Sequence, residues 1–186
     1  MEFIKELRQQ AGGLSLSAAV PIKPFDDATG KPISGFAEQL NWIEIMAYDV
    51  FGSWSKVTGP NAPLNDTCSP HQNGSAVSAV AAWTNAGFSA NQIVLGVPSY
   101  GRSFSVPPST AAPSGNQLEI YTPYTNIPQG DPWNNASPAH VEACTQSGVP
   151  SGVFEFWAMV GYGYLKSDGS VASGMLSTFD RCSQTV

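Results

Sequence analysis

Three short apolar runs, separated by helix-like stretches, limit what this chain can fold into. Leu14–Val20, Asn41–Asp49 and Gln92–Pro98 have the length and apolar character of strands, and prolines close the first and third. Between them, residues 34–40 and 74–86 read as helices, the second with Val77, Val80, Ala81 and Trp83 mostly on one side and Gly87 at its end. The order is strand, helix, strand, helix, strand. Nearly continuous apolar strands predict a parallel sheet buried on both faces, and the spacing suits βα units. A further helix is predicted over 2–11, with Phe3, Ile4 and Leu7 on one face and Gly12-Gly13 as its stop. Beyond Phe104 the chain turns Pro-, Ser-, Asn- and Gly-rich, with β-like pieces such as Leu118–Tyr121 and an apolar, helix-like run from Gly152 to Lys166. A boundary is therefore expected near residue 105. It divides an α/β domain, 1–104, from an α+β subdomain, 105–186.

Composition excludes several functions. Charged residues are 12% of the chain, about half the usual ~25%. Eight basic residues stand against fourteen acidic ones without a Lys/Arg cluster, which argues against nucleic acid. No apolar run approaches the ~18 residues of a membrane span. The surface is polar mainly through Ser, Thr, Asn and Gln, which suits neutral ligands such as sugars better than phosphates. Cys68, Cys144 and Cys182 form no CxxC pair, and His71 and His140 are far apart, so a zinc site is not expected. Asn65, Asn73 and Asn135 open Asn-x-Ser/Thr sequons, weak support for secretion as glycosylation candidates. The N-terminus points the other way: Met1 runs directly into the charged, amphipathic Glu2–Arg8, which is not a signal peptide.

In parallel α/β folds, ligands meet the carboxyl ends of strands. Three such ends are present: Ala18–Pro21; Met46–Asp49 followed by Phe51-Gly52-Ser53-Trp54; and Pro98–Arg102. Met46 and Tyr48 are two apart and share a strand face. Tyrosines, a tryptophan, an aspartate and an arginine at adjacent strand tops can build a sugar site: rings stack on pyranose C–H faces, and Asp and Arg bond hydroxyl or amide groups. Each has an ordinary reading too. Tyr48 can be a core tyrosine with a satisfied rim hydroxyl, Asp49 a loop cap, Arg102 the partner of a structural carboxylate, and Trp54 a cover for the core edge. Glu44 shares the Met46 face and reads as a paired interior carboxylate. His71 and His140 receive no role.

At these residues the chain resembles a known family. LSLSAAVP (14–21), IEIMAYD (43–49), FGSWSKVTGPNAPL (51–64) and IVLGVPSYGRSF (93–104) are similar to consecutive stretches of glycoside hydrolase family 18 chitinases. Gly152–Trp157 and Phe179–Thr185 resemble the α+β insertion of fungal-type members, placed between the seventh strand and its helix. The resemblance implies part of a (β/α)8 TIM barrel, strands five to seven, with most of the insertion. It implies that strands one to four and eight lie outside these residues. With them would lie the D-x-x-D-x-D-x-E run, whose Glu is the general acid, and the tryptophan at the pocket floor. Trp157 belongs to the insertion and is not that tryptophan.

Carried over, the family chemistry is substrate-assisted retaining hydrolysis of β-1,4-linked N-acetylglucosamine polymers, without metal or cofactor. Tyr48 would bond the N-acetyl group as it closes into an oxazolinium ring. Asp49 would bond nearby hydroxyl or acetamido groups, and Met46 would line the pocket. Tyr100 and Arg102 would reach sugar polar groups, and Trp54 would stack on the leaving-group side. The resemblance further implies a secreted protein, monomeric at full length, whose partner is chitin or its oligomers. Two alternatives stay open: a non-catalytic chitin-binding chitinase-like protein, and a fragment with no function of its own.

A three-strand slice would have two raw edges and an uncovered interior, with Leu14–Val20 and Ile93–Val97 exposing backbone donors and apolar side chains, so the chain alone is expected to be marginally stable or aggregation-prone. Cys144 and Cys182 bracket the apolar run 152–166 and are expected to pair. They would close a loop of about 38 residues worth roughly 3–4 kcal/mol, leaving Cys68 free or paired elsewhere.

Overall fold

The structure is a computed structural model that describes residues 1–134 and 150–185. Two compact units emerge. The first contains Met1–Val50, Ala62–Val97 and Cys182–Gln184. The second contains Phe51–Asn61, the described part of Pro98–Arg181, and Thr185.

In the first unit, β1 (Ser17–Val20), β2 (Trp42–Met46) and β3 (Ile93–Gly96) form one parallel sheet with β2 in the centre. Ala19 and Val94 flank Glu44, and Val20 and Leu95 flank Ile45. The period-two alternation of β2 decides its burial. Ile43 and Ile45 are fully buried, while Trp42 and Glu44 on the other face are exposed.

The core lies wholly on the Ile43–Ile45 side. Val20, Leu40, Ala79, Trp83 and Phe88 complete it, with Trp83 and Phe88 meeting edge-on at 5.6 Å. The expectation of a sheet buried on both faces is therefore corrected. The helices that supply apolar side chains cover one face only, and Val94 and Leu95 on the outer strand β3 are also exposed. Glu44, expected to be an interior carboxylate, is exposed for the same reason.

Helix α3 (Ala76–Asn85) begins at Ser75, whose hydroxyl accepts from Ser78 N while the Ser78 hydroxyl accepts from Ser75 N, a reciprocal cap. Its Trp83 donates Nε1–H to Pro21 O at 2.9 Å, anchoring the chain as it leaves β1. The short helix α2 (Phe36–Gln39) is held at its end by Gln92, whose amide donates to Ala37 O and Leu40 O.

Helix α1 (Glu2–Ala11) forms where the pattern placed it, but no residue in it is fully buried, and Phe3 is 72% exposed. A cation fixes it instead. Arg8 donates to Gln39 O, Leu14 O and Asn41 Oδ1 at 2.7–2.8 Å.

A disulfide joins Cys68 to Cys182, with Cα atoms 5.7 Å apart and a sequence separation of 114. This overturns the expected Cys144–Cys182 pair. The chain returns at residues 182–184 to the first unit, where Leu64 N donates to Ser183 O at 2.8 Å, so Cys182 meets the loop that carries Cys68. Closeness in sequence does not choose the partner. Cys144, His140 and Asn135 lie outside the described residues.

In the second unit, β4 (Tyr100–Arg102) pairs antiparallel with β5 (Val153–Glu155), and helices α4 (Pro108–Ala111) and α5 (Phe156–Gly161) complete the regular structure. The helix expected over 152–166 is thus a strand followed at once by a short helix. Glu155, in extended backbone, is the residue where one becomes the other. Leu118–Tyr121, read as β-like, forms no strand.

Asp131 organises this unit. Its side chain is fully buried and accepts from the backbone of Trp133, Asn134 and Glu155 and from the Asn134 amide, at 2.7–3.0 Å. Desolvation pushes the carboxyl pKa up. The bonds from Glu155 N, the Asn134 amide, Asn134 N and Trp133 N together outweigh it, so the group titrates below the ordinary aspartate value of 3.8.

Candidate functional site

The end of β2 builds the first part of the site. After Met46 the strand breaks into a tight turn, Ala47 N donating to Ile45 O at 2.9 Å. Asp49 follows with φ of 59°, a left-handed conformation that aspartate tolerates better than most side chains. Left-handed backbone in a non-glycine residue is a strain that clusters at functional positions.

The turn brings Met46, Tyr48 and Asp49 to one depression of about 440 Å³, whose other walls are Pro21, Ile22, Lys23 and Asn73. Neighbouring β3 makes room for the ring. A Cβ on Gly96 would stand 3.1 Å from Tyr48 Cε1 and 3.0 Å from Ile45 O, so glycine at this place lets Tyr48 lie close against the strand.

The second unit gathers the other three residues named from sequence. The Arg102 guanidinium carbon stands 4.7 Å from the Trp54 ring centre and 5.8 Å from that of Tyr100, the geometry of a cation held over aromatic faces. Trp54 reaches this position by folding back over Gly52, where a Cβ would fall 2.5 Å from its ring. The loop beneath is tied by Ser55 N to Gly52 O, by Gly52 N to Ser55 Oγ, and by the Tyr124 hydroxyl, which donates to Ser55 O at 2.6 Å. Asn61 donates its amide to Tyr100 O at 3.1 Å. The Arg102 side of β4 also borders a cavity of about 310 Å³ with Ser103, Pro128, Phe154, Met159 and Tyr164.

The six residues thus divide three and three: Met46, Tyr48 and Asp49 in the first unit, Trp54, Tyr100 and Arg102 in the second. Each set combines apolar or aromatic surface with a group that bonds polar atoms. That pairing suits a ligand with C–H faces and neutral hydroxyl or amide edges. Among the described residues no cluster of His, Cys, Asp and Glu could hold a metal ion, and no helix is long and apolar enough to cross a membrane.

Two residues escaped the sequence reading as site residues. Asn73 read only as a sequon, yet it lines the Tyr48–Asp49 depression. Lys23, another lining residue, stands two positions after the proline that closes the first strand, and its place at a strand exit was the available signal. Exposed His71 serves its own loop, its backbone N–H and C=O both bonded to the Ser69 hydroxyl.

Comparison with known proteins follows the same residues. The profile of glycosyl hydrolases family 18 matches residues 1–162. A chitinase-like effector of Moniliophthora roreri is 46% identical over 100% of this chain and 47% of its own length. One of Moniliophthora perniciosa is 42% identical over 98% of this chain and 43% of its own. The crystal structure of a chitinase from Rhizomucor miehei superposes with a TM-score of 0.75 at 31% identity, over 98% of this chain and 49% of that one. The chain spans about half the length of the relatives it matches. These likenesses put its parallel sheet within a TIM-barrel-like fold.

Proposed function

The chain belongs to glycosyl hydrolase family 18, a chitinase-like protein, and on that footing we propose that it carries the sugar-orienting residues of a chitinase-like glycoside hydrolase. The ligand class is β-1,4-linked N-acetylglucosamine. The architecture proposed with it is strands five to seven of a (β/α)8 barrel plus an α+β insertion, and the setting is extracellular. The Cys68–Cys182 disulfide supports an oxidising compartment.

One observation carries the reading: Met46, Tyr48 and the left-handed Asp49 converge on a single depression at the carboxyl end of a parallel strand. In substrate-assisted hydrolysis the substrate's own N-acetyl carbonyl attacks the anomeric carbon. The protein's task at that centre is to hold the acetamido group in line. The Tyr48 hydroxyl donates to the acetamido oxygen, and Asp49 accepts from the acetamido N–H, stabilising the positive charge as the ring closes. Met46 packs against the methyl group. In the second unit, by itself, Arg102 and Tyr100 suit sugar oxygens and Trp54 suits stacking on a pyranose face. The proton for the leaving oxygen comes from a general acid that these 186 residues do not contain, since no D-x-x-D-x-D-x-E run occurs in them.

A second reading, carbohydrate binding without turnover, is favoured by the name that the two Moniliophthora relatives share, chitinase-like effector. Calorimetric titration of the chain with N-acetylglucosamine oligomers tests what both readings hold in common. Saturable binding that weakens about tenfold, or ~1.4 kcal/mol, in Tyr48→Phe or Asp49→Asn supports the site. Binding that neither variant changes removes it. Release of reducing ends separates enzyme from binder. In a chain that also carries the acid, Asp49→Asn should lower turnover far more than affinity.

A further inference from the structure

The sequon Asn73-Gly74-Ser75 stands where a modification would reach the site. Asn73 is exposed and lines the Met46–Tyr48–Asp49 depression, and among the described residues its side-chain amide makes no hydrogen bond. The loop beneath it is pinned on every side. Cys68 is bonded to Cys182. The buried Asp66 carboxylate accepts from Gly74 N at 3.0 Å and from the Ser75 hydroxyl at 2.8 Å. Gln72 donates its amide to Thr67 O, and Asn73 N donates to His71 O, both at 3.0 Å. Gly74 has φ of 121°, and a Cβ there would fall 2.8 Å from Ile22 Cγ2. The direction in which Asn73 projects is therefore set by covalent and hydrogen-bonded restraints. Asn65 differs: it is half-buried, and its Oδ1 accepts from Thr67 N.

We propose that Asn73 carries an N-linked oligosaccharide that covers the Tyr48–Asp49 depression. In the transfer, Asn73 Nδ2 loses one proton and bonds to the anomeric carbon of the first N-acetylglucosamine. The bond from that carbon to the pyrophosphate oxygen of a lipid-linked oligosaccharide donor breaks, and the lipid pyrophosphate leaves with the electron pair. Ser75, whose hydroxyl is required by the sequon, is fully buried in the folded chain, so transfer precedes folding. The disulfide belongs to the same oxidising compartment in which such transfer occurs. Once the loop is pinned, a bulky, polar chain stands at the rim and screens the depression from solvent and from polymeric ligands. The effect on ligand binding rests on the function proposed above; the covering does not.

The test uses the full chain secreted from a eukaryotic host. Peptide mapping should find Asn73 occupied by hexose and N-acetylhexosamine. Hydroxyl-radical labelling of Met46 and Tyr48 should rise severalfold after trimming to one sugar and in Asn73→Gln. Affinity for an N-acetylglucosamine tetramer should rise about tenfold or more with it. An unmodified Asn73 in the secreted chain overturns the inference. So does equal labelling of Met46 and Tyr48 before and after trimming. Labelling that rises while no form binds the tetramer supports the covering and sinks the saccharide-binding function instead.

Discussion

The two units are held together by different forces. In the first, ten buried apolar residues form one cluster around Ile43, Ile45, Trp83 and Phe88. In the second, the fully buried apolar side chains among the described residues are Phe51 and Ala158, and polar Asp131 and Thr122 are buried beside them. The first unit gains its stability from area removed from water. The second relies on hydrogen bonds whose loss strands donors in a dry place. Evolution can vary apolar side chains of similar volume in a core, whereas a carboxylate satisfied by four donors admits few substitutes.

The largest break in this comparison should come from Trp83→Ala. It removes a buried ring and the bond to Pro21 O and should cost about 3–5 kcal/mol. Hydrogen exchange should lose protection in β1, β2 and β3 while β4 and β5 keep theirs; equal loss in both would merge the units into one cooperative block. Next is reduction of Cys68–Cys182, or Cys68→Ser, at about 2–5 kcal/mol, read as a lower denaturant midpoint in the first unit. Asp131→Ala should follow at about 1–3 kcal/mol, confined to β4–β5 exchange.

The pH dependence has a definite sign. The folded Asp131 carboxyl titrates below 3.8, so its contribution is complete above that value and is lost as pH falls through the folded value. Acid should therefore open β4–β5 before β1–β3, and Asp131→Asn should flatten the acid limb. The smallest effect belongs to Tyr124→Phe, which deletes the donor to Ser55 O at about 0.5–1.5 kcal/mol.

The parallel sheet was legible because each strand is an apolar run bounded by proline or a polar turn, and β1, β2 and β3 fall inside the three predicted runs. An uncovered face is expected of a three-strand slice, and Trp42, Glu44 and Val94 are exposed on it. Trp42 and Glu44 alternate with Ile43 and Ile45, but only the position of the helices shows which face is covered. The run 152–166 misled because a three-residue strand abuts a six-residue helix; apolar residues continue through both, and no glycine or proline marks the joint. The Cys68–Cys182 bond spans a sequence separation of 114, a distance over which spacing carries no geometric information. At the site, Met46, Tyr48 and Asp49 could be named from the strand end. The left-handed backbone of Asp49, and Asn73 beside the same depression, depend on loops whose course only folding decides. Asp131 carries no signal of its role in sequence, since nothing local announces that Glu155 donates to it.

The return of Cys182–Gln184 to the first unit has a consequence for how this chain can be cut. In sequence order most of the second unit lies between two segments that belong to the first, so the first unit is closed by residues that come after the second. Shortening the tail ahead of Cys182 would leave β4 and β5 intact and loosen instead the loop that roots Asp66, Asn73 and the start of α3. A change at residues 182–184 would then be felt among residues encoded more than a hundred codons earlier.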